Sequence, residues 1–244
     1  MAAEDLADVT RSSLRLRLLR AIADGTATDR TLHRELDAPR TTVRDNRRAL
    51  QRLGYVHDHG GQPYTLTPRG AALAAGIERL EAELDVARRF EAFLEGVPFA
   101  DLGLPLAALA DAEHVRPRPD APAAPSNRAC ALLEAAGSVD GVFPVLPKCP
   151  FTDDTTGDVV IAETAANALG ESRLTGPSGL DVWQVDDTPP LGAALVDGDV
   201  LLFSTGPHGT LQSLVVSPDI ASWTRTFVDR WRERAERIER GETA

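Results

Sequence analysis

Lysine is almost missing from this chain: of 244 residues, one is lysine (Lys148) and 25 are arginine. Acids are plentiful, 37 against 26 bases, and the formal net charge is −11. Little lysine, a surplus of Asp and Glu, and alanine-rich helices make the composition expected of a cytosolic protein in a salt-in halophile. In molar salt the Debye length falls to about 3 Å, so the self-repulsion of a negative surface is screened. Taken as a whole, the negative net charge speaks against nucleic-acid binding. Cysteine is scarce too, and Cys130 and Cys149 fit a reducing compartment and supply no disulfide framework. No apolar run approaches the roughly 20 residues of a membrane span. Residues 1–9 are acidic and lack the charged-then-apolar layout of a signal peptide, so no membrane association and a cytoplasmic location are expected. There is no internal repeat, and the one low-complexity stretch is the Pro/Ala segment 116–125.

Catalytic signatures are missing as well. No G-x-S-x-G, H-E-x-x-H, C-x-x-C or phosphate-loop pattern occurs. The histidines His33, His57, His59, His114 and His208 show no ligand spacing. Neither an enzyme, a cofactor nor a metal site is expected.

What is present is an uneven distribution of charge. Residues 1–94 hold 15 arginines and 14 acids, whereas residues 95–244 hold 10 arginines, one lysine and 23 acids. Within residues 11–70 there are 12 arginines and 6 acids, a local net of +6. A basic N-terminal module joined to a strongly acidic one is the electrostatic footprint of a DNA-binding domain fused to a second domain.

The periodicity of the basic stretch supports that reading. Residues 12–23 read as a helix with Leu14, Leu18, Leu19 and Ile22 on one face, stopped by Gly25. Thr28 or Asp29 caps a second helix to about Leu36, and Asp37-Ala38-Pro39 makes a tight turn. A third helix starts near Arg40 and ends at Gly54, with Val43, Leu50 and Leu53 on its apolar stripe. Two short strands, Tyr55-Val56 and Tyr64-Thr65-Leu66, flank the polar tip 57–61. Thr67-Pro68 then opens a long helix. This order is the winged helix-turn-helix plan, whose third helix reads the major groove by its N-terminal part. Its outward residues would be Arg40, Thr41, Thr42, Arg44, Asp45 and Arg48. Arg pairs with guanine O6 and N7, and Thr bonds phosphate or touches a thymine methyl. His59 in the wing and Arg69 just after it are expected at phosphates. His57, Asp58 and His59 read as a polar turn rather than as metal ligands. Arg47 falls on the stripe that should face the core. Either its guanidinium snorkels outward, or the helix is rotated and the base-contact set shifts by a residue.

From Gly70 to Glu95 a single helix is expected, with Leu73, Ile77, Leu80 and Leu84 on a heptad seam. That seam reads as a homodimer interface, since winged-helix readers pair to match two half-sites, or else as packing on the chain's own second domain. The domain limits expected are 1–68, 69–95 and 96–244.

The acidic half reads as α/β, giving an α+β chain overall. Strands are expected at 139–146, 159–162, 180–185, 193–196, 200–204 and 211–216, with short helices at 126–136 and 165–171. Residues 206–209 read as a turn. Residues 219–240 read as an amphipathic helix with Ile220, Trp223, Phe227, Trp231 and Ile238 inward, Ser217 and Pro218 serving its start. The tryptophans read as core. His114, Arg116, Arg118 and Arg128, with Lys148, stand out as cations in an acidic half. They suggest a site for an anionic effector, a phosphorylated or carboxylated metabolite.

Four segments carry a family resemblance: "FLEGVPFADLGLPLAALADAE" (93–113), "PRPDAPAAPSNRACALL" (117–133), "VDGVFPVLP" (139–147) and the run 179–238 from "GLDVWQV" to "RWRERAERI". With the N-terminal pattern, residues 11–240 resemble haloarchaeal transcriptional regulators that join a winged helix to the sensor-like domain of the archaeal methanogenesis/filament regulator family. The stretch 147–158 is short against that pattern. The resemblance implies a sequence-specific DNA-binding regulator, a homodimer on a palindromic operator in double-stranded DNA, modulated by a ligand or partner at its C-terminal domain. The competing readings are a constitutive chromatin-type protein without an effector and a metabolic enzyme fused to a winged helix.

Overall fold

The computed structural model describes residues 2–25, 27–60, 63–146, 151–169, 179–206 and 209–238. Local capping sets the first elements. After α1 (Ala2–Thr10), the Ser12 hydroxyl accepts the Arg15 amide and starts α2 (Ser13–Ala23). Gly25, at φ +91°, ends it. Thr28 starts α3 (Asp29–Glu35) through a capping box in which Thr28 and Thr31 serve each other's amides. α4 (Arg40–Arg52) follows, with Gly54 at φ +77° just past its end. β1 (Val56–His57) and β2 (Thr65–Leu66) pair antiparallel, Val56 opposite Leu66. Thr67 then fixes the start of α5 (Pro68–Arg89): its hydroxyl donates to the Gly54 carbonyl at 2.7 Å and accepts the Gly70 amide at 2.9 Å. Gly70 is required there, because a Cβ would lie 2.1 Å from the Tyr55 carbonyl oxygen.

The chain divides into two compact units, Met1–Ala82 and Glu83–Ala244. The first unit is built around Leu18, Leu19, Ile22, Leu32, Val43, Leu50 and Tyr55. Burying each such side chain contributes about 1.5–3 kcal/mol. The long helix is not continuous to Glu95 as expected. It breaks at Phe90, and a separate short helix α6 (Glu91–Leu94) follows. Phe90 and Phe93 are fully buried in the core of the second unit, and seating both rings there outweighs one unbroken helix.

The second unit begins with α6, α7 (Phe99–Leu102) and a 3₁₀ turn (Leu106–Leu109). Its sheet, among the described residues, has eight strands in the order β10-β6-β5-β4-β7-β8-β9-β3. They are β3 (Glu113–Val115), β4 (Val139–Phe143), β5 (Gly157–Ala162), β6 (Leu180–Val185), β7 (Gly192–Val196), β8 (Asp199–Thr205), β9 (Leu211–Ser217) and β10 (Glu236–Arg237). β4, β5 and β6 run parallel; every other pair is antiparallel. Both faces are covered, which is why the central strands read as near-continuous apolar runs. Val142, Val160 and Val200 face Phe93 and the helix α10 (Ala221–Arg232), whereas Phe143, Ile161 and Leu201 face α8 (Ala124–Glu134) and α9 (Glu163–Leu169). Fold class is therefore mixed, a helical N-terminal unit and a sheet-based C-terminal one.

Three expectations are corrected here. The last helix stops at Arg232, not Arg240. Residues 236–237 instead pair with Gln184 and Trp183 of β6, and the Ile238 amide donates to the Val182 carbonyl at 2.9 Å, so this segment closes an otherwise open sheet edge. Ile220, not Ser217, caps α10; Ser217 ends β9, and its hydroxyl accepts the Asp219 amide. The strand β3 was not expected, being three residues long. Cys149, Lys148, Pro207 and His208 lie outside the described residues, as does the end of the segment read as a helix to 171.

Candidate nucleic-acid interface

α4 turns Val43, Leu50 and Ala49 into the core. The opposite face therefore carries Arg40, Thr41, Thr42, Arg44, Asp45 and Arg48, and all six are exposed. No side chain caps the helix, since Pro39 occupies its N-cap, so its first turn presents positive backbone partial charge outward. Arg44 is tempered by Asp45, 3.9 Å away. Two recesses flank this face. One is lined by Asp29, Arg30, Arg40, Thr41 and Arg44, the other by Asp45, Arg48, Gln51 and Arg52. Arg30 and Arg52 were absent from the sequence-based set. Arg52 follows Arg48 by four residues, one turn further on the same face, a spacing that could have flagged it.

Arg47 neither snorkels nor rotates the helix. It is 5% exposed and lies inside the first unit. Its Nη1 donates to Asp58 at 3.0 Å and to Gln51 at 3.2 Å, and its guanidinium sits 4.4 Å from the centre of the Tyr64 ring. Nε makes no hydrogen bond among the described residues; an Asp29 carboxylate oxygen lies 3.6 Å from it. The other oxygen of Asp58 accepts the Gly60 amide at 3.1 Å and so shapes the tip of the hairpin. One buried cation thus ties α4, the start of α3 and the β1–β2 hairpin together. Burial, then the hydrogen bond to Asp29, pushes the Tyr64 hydroxyl pKa above its ordinary value, while the Arg47 charge pulls it back.

Residues 3–89 match the family model of the HVO_A0261 N-terminal domain. The match takes in the α4 face, the Arg47 cluster and the hairpin. No curated protein matches the chain. Among solved structures TrmBL2, an archaeal chromatin protein described as showing a novel mode of DNA binding, is similar over 91% of this chain and 92% of its own, at 15% identity and a TM-score of 0.41.

Within the domain matched to HVO_A0261, not every arginine of the +6 stretch faces outward. Arg15 donates to the Asp8 carbonyl and to Asn46, Arg17 to the Leu36 carbonyl, and Arg20 pairs with Glu81. His59 is exposed on the hairpin, its Nε2 2.8 Å from the Thr65 hydroxyl. Arg69 lies 5.1 Å from the centre of the Tyr55 ring, with a long bond to the Leu53 carbonyl. His57, Asp58 and His59 form no metal-binding group, and none occurs among the described residues.

The heptad seam divides. Ile77 is buried and Leu73 half-buried in the core of the first unit, so these two serve the fold rather than a dimer. Leu80 and Leu84, one turn apart on α5, are 50% and 47% exposed.

The cations of the acidic half also divide. His114, Arg116 and Arg118 line one cleft, whereas Arg128 is not in that lining and pairs with Glu113 at 2.9 Å. The His114 ring lies against Phe90, centres 4.8 Å apart, with Nδ1 3.2 Å from the Arg89 carbonyl and Nε2 2.7 Å from the Ser213 hydroxyl. Burial holds its pKa below the ordinary value, so at neutral pH it is an uncharged wall. Cys130 is a free, half-buried thiol. Among the described residues no helix is long and apolar enough to cross a membrane.

Proposed function

We propose that the chain is a sequence-specific DNA-binding transcriptional regulator of the cytoplasm. The N-terminal unit acts as a winged helix-turn-helix, with α4 in the major groove and the hairpin as its wing. The observation that carries this reading is the outward α4 face, six exposed residues including Arg40, Arg44 and Arg48, held in fixed relation to the hairpin by buried Arg47. Arg44 and Arg48 are placed on base edges, Thr41 and Thr42 on phosphate or a thymine methyl, and His59 and Arg69 at flanking phosphates.

Leu80 and Leu84 supply the remaining apolar contact of a homodimer, which would set two half-sites about 34–36 Å apart. The acidic unit modulates binding through a ligand or partner. Catalysis has no part in this reading. Recovery of the genomic fragments bound by the full chain in molar KCl tests it: a shared inverted repeat is expected. Equal recovery of all fragments would overturn it in favour of a constitutive chromatin-type protein.

A further inference from the structure

Residues 95–244 carry 23 acids against 11 bases, yet one cleft of the second unit is lined by two weakly compensated arginines. It has a volume of about 740 Å3, within the range of small-molecule sites. Glu95 of α6, His114 and Arg116 at the β3 edge, Arg118, Ala124 at the start of α8 and Gln212 of β9 line it. Arg116 makes no ion pair among the described residues. Arg118 meets Asp120 only at 3.7 Å, with both side chains well exposed, a pairing of little strength in molar salt. Pro117 and Pro119 flank Arg118 and fix φ on either side, so less freedom is lost when the two guanidiniums close on a ligand.

We propose that this cleft binds a small polyoxyanion, a phosphorylated or multiply carboxylated metabolite, gripped by Arg116 and Arg118 with the Gln212 amide as a further donor. The fork of each guanidinium matches two oxygens of a carboxylate or phosphate. His114 contributes shape rather than charge, both of its ring nitrogens being engaged within the fold. The nearby Arg116 and Arg89 charges, after burial, also push its pKa down. Arg128, held by Glu113, has no part in the site. Glu95 favours a ligand that offers a hydroxyl or ammonium group beside its anionic end.

The proposal rests on the regulator reading only for its consequence, not for binding itself. The test is calorimetric titration of the full chain, without DNA, by inorganic phosphate and separately by citrate at constant ionic strength. Saturable binding of one anion per chain is expected for at least one of them, weakened at least tenfold in R116Q/R118Q and unchanged in R128Q. Phosphate alone would assign a phosphorylated ligand, citrate alone a carboxylated one. Should the double variant melt early, R116K serves instead: it keeps the charge but loses the fork, and a several-fold weakening is expected. Absence of binding by both anions, or equal binding by wild type and the arginine variants, overturns the site. Anion binding that leaves operator affinity unchanged upholds the site and overturns ligand control of DNA binding.

Discussion

Replacing Arg47 by Met keeps most of its apolar stem but removes the buried charge. The lost hydrogen bond to Asp58, 3.0 Å long and between charged groups, is worth about 1.5–3 kcal/mol. The lost contact with the Tyr64 ring at 4.4 Å is worth about 0.5–2 kcal/mol. Against this, the guanidinium no longer has to be dehydrated, and its unpartnered Nε disappears, returning about 1–3 kcal/mol. The Asp58 side chain is 30% exposed, so once unpaired it rehydrates partly and does not bear the full penalty of a buried orphan charge. The net expectation is a loss of about 1–2 kcal/mol. For a unit of this size that lowers the melting temperature by about 5–10 °C. Scanning calorimetry in molar KCl reads it. The pair should persist there, because Arg47 is withdrawn from the ions that screen surface charges. A double-mutant cycle with Asp58→Ala isolates the contact and should give a coupling of about 1 kcal/mol or more. Additivity within about 0.3–0.5 kcal/mol would refute the clamp.

Other outcomes follow from the second unit. His114 has a folded pKa below its ordinary value of about 6.5, so on acidification the unfolded chain takes up the proton first. Stability should therefore fall as pH drops below about 6.5 and through the folded pKa; in His114→Gln this part of the slope should vanish, and denaturation of both proteins across that window checks it. Gly192→Ala places a Cβ 2.0 Å from the Phe203 ring between paired strands; a cost of about 1–3 kcal/mol or more is expected in denaturant melts, and a neutral result would contradict the packing described.

Much of this was legible in the residues because local chemistry and burial agree. Thr28, Gly25 and Thr67-Pro68 mark helix ends through capping and backbone freedom alone. The strands β5, β7 and β8 are legible because both of their faces are largely buried and their runs are mostly apolar. Legibility fails where a partner distant in sequence decides. Residues 233–238 carry a helical pattern, but β6 needs a neighbour, and pairing with it wins. Phe90 lies within a helical heptad, but the core of the second unit claims its ring. Ile77 fits a dimer seam and the N-terminal core equally well by spacing, and only the packing separates them. Arg47 is the clearest case in the candidate site. A charged residue on an apolar stripe reads as an anomaly until Asp29, Asp58 and Tyr64, between 11 and 18 positions away, are seen around it. The count of arginines likewise overstates the DNA-facing charge, because Arg47 is buried and Arg15, Arg17 and Arg20 are engaged by groups of the fold itself.

The central claim is that the exposed face of α4 reads base sequence. It is tested most directly by measuring, in molar KCl, the affinity of the full chain for a selected operator and for an unrelated duplex of the same length. Arg44→Ala and Arg48→Ala should each weaken operator binding by about 1–3 kcal/mol, roughly 5- to 150-fold, and leave binding to the unrelated duplex nearly unchanged, while Arg128→Ala alters neither. Equal loss on both duplexes, or no loss on the operator, would contradict it.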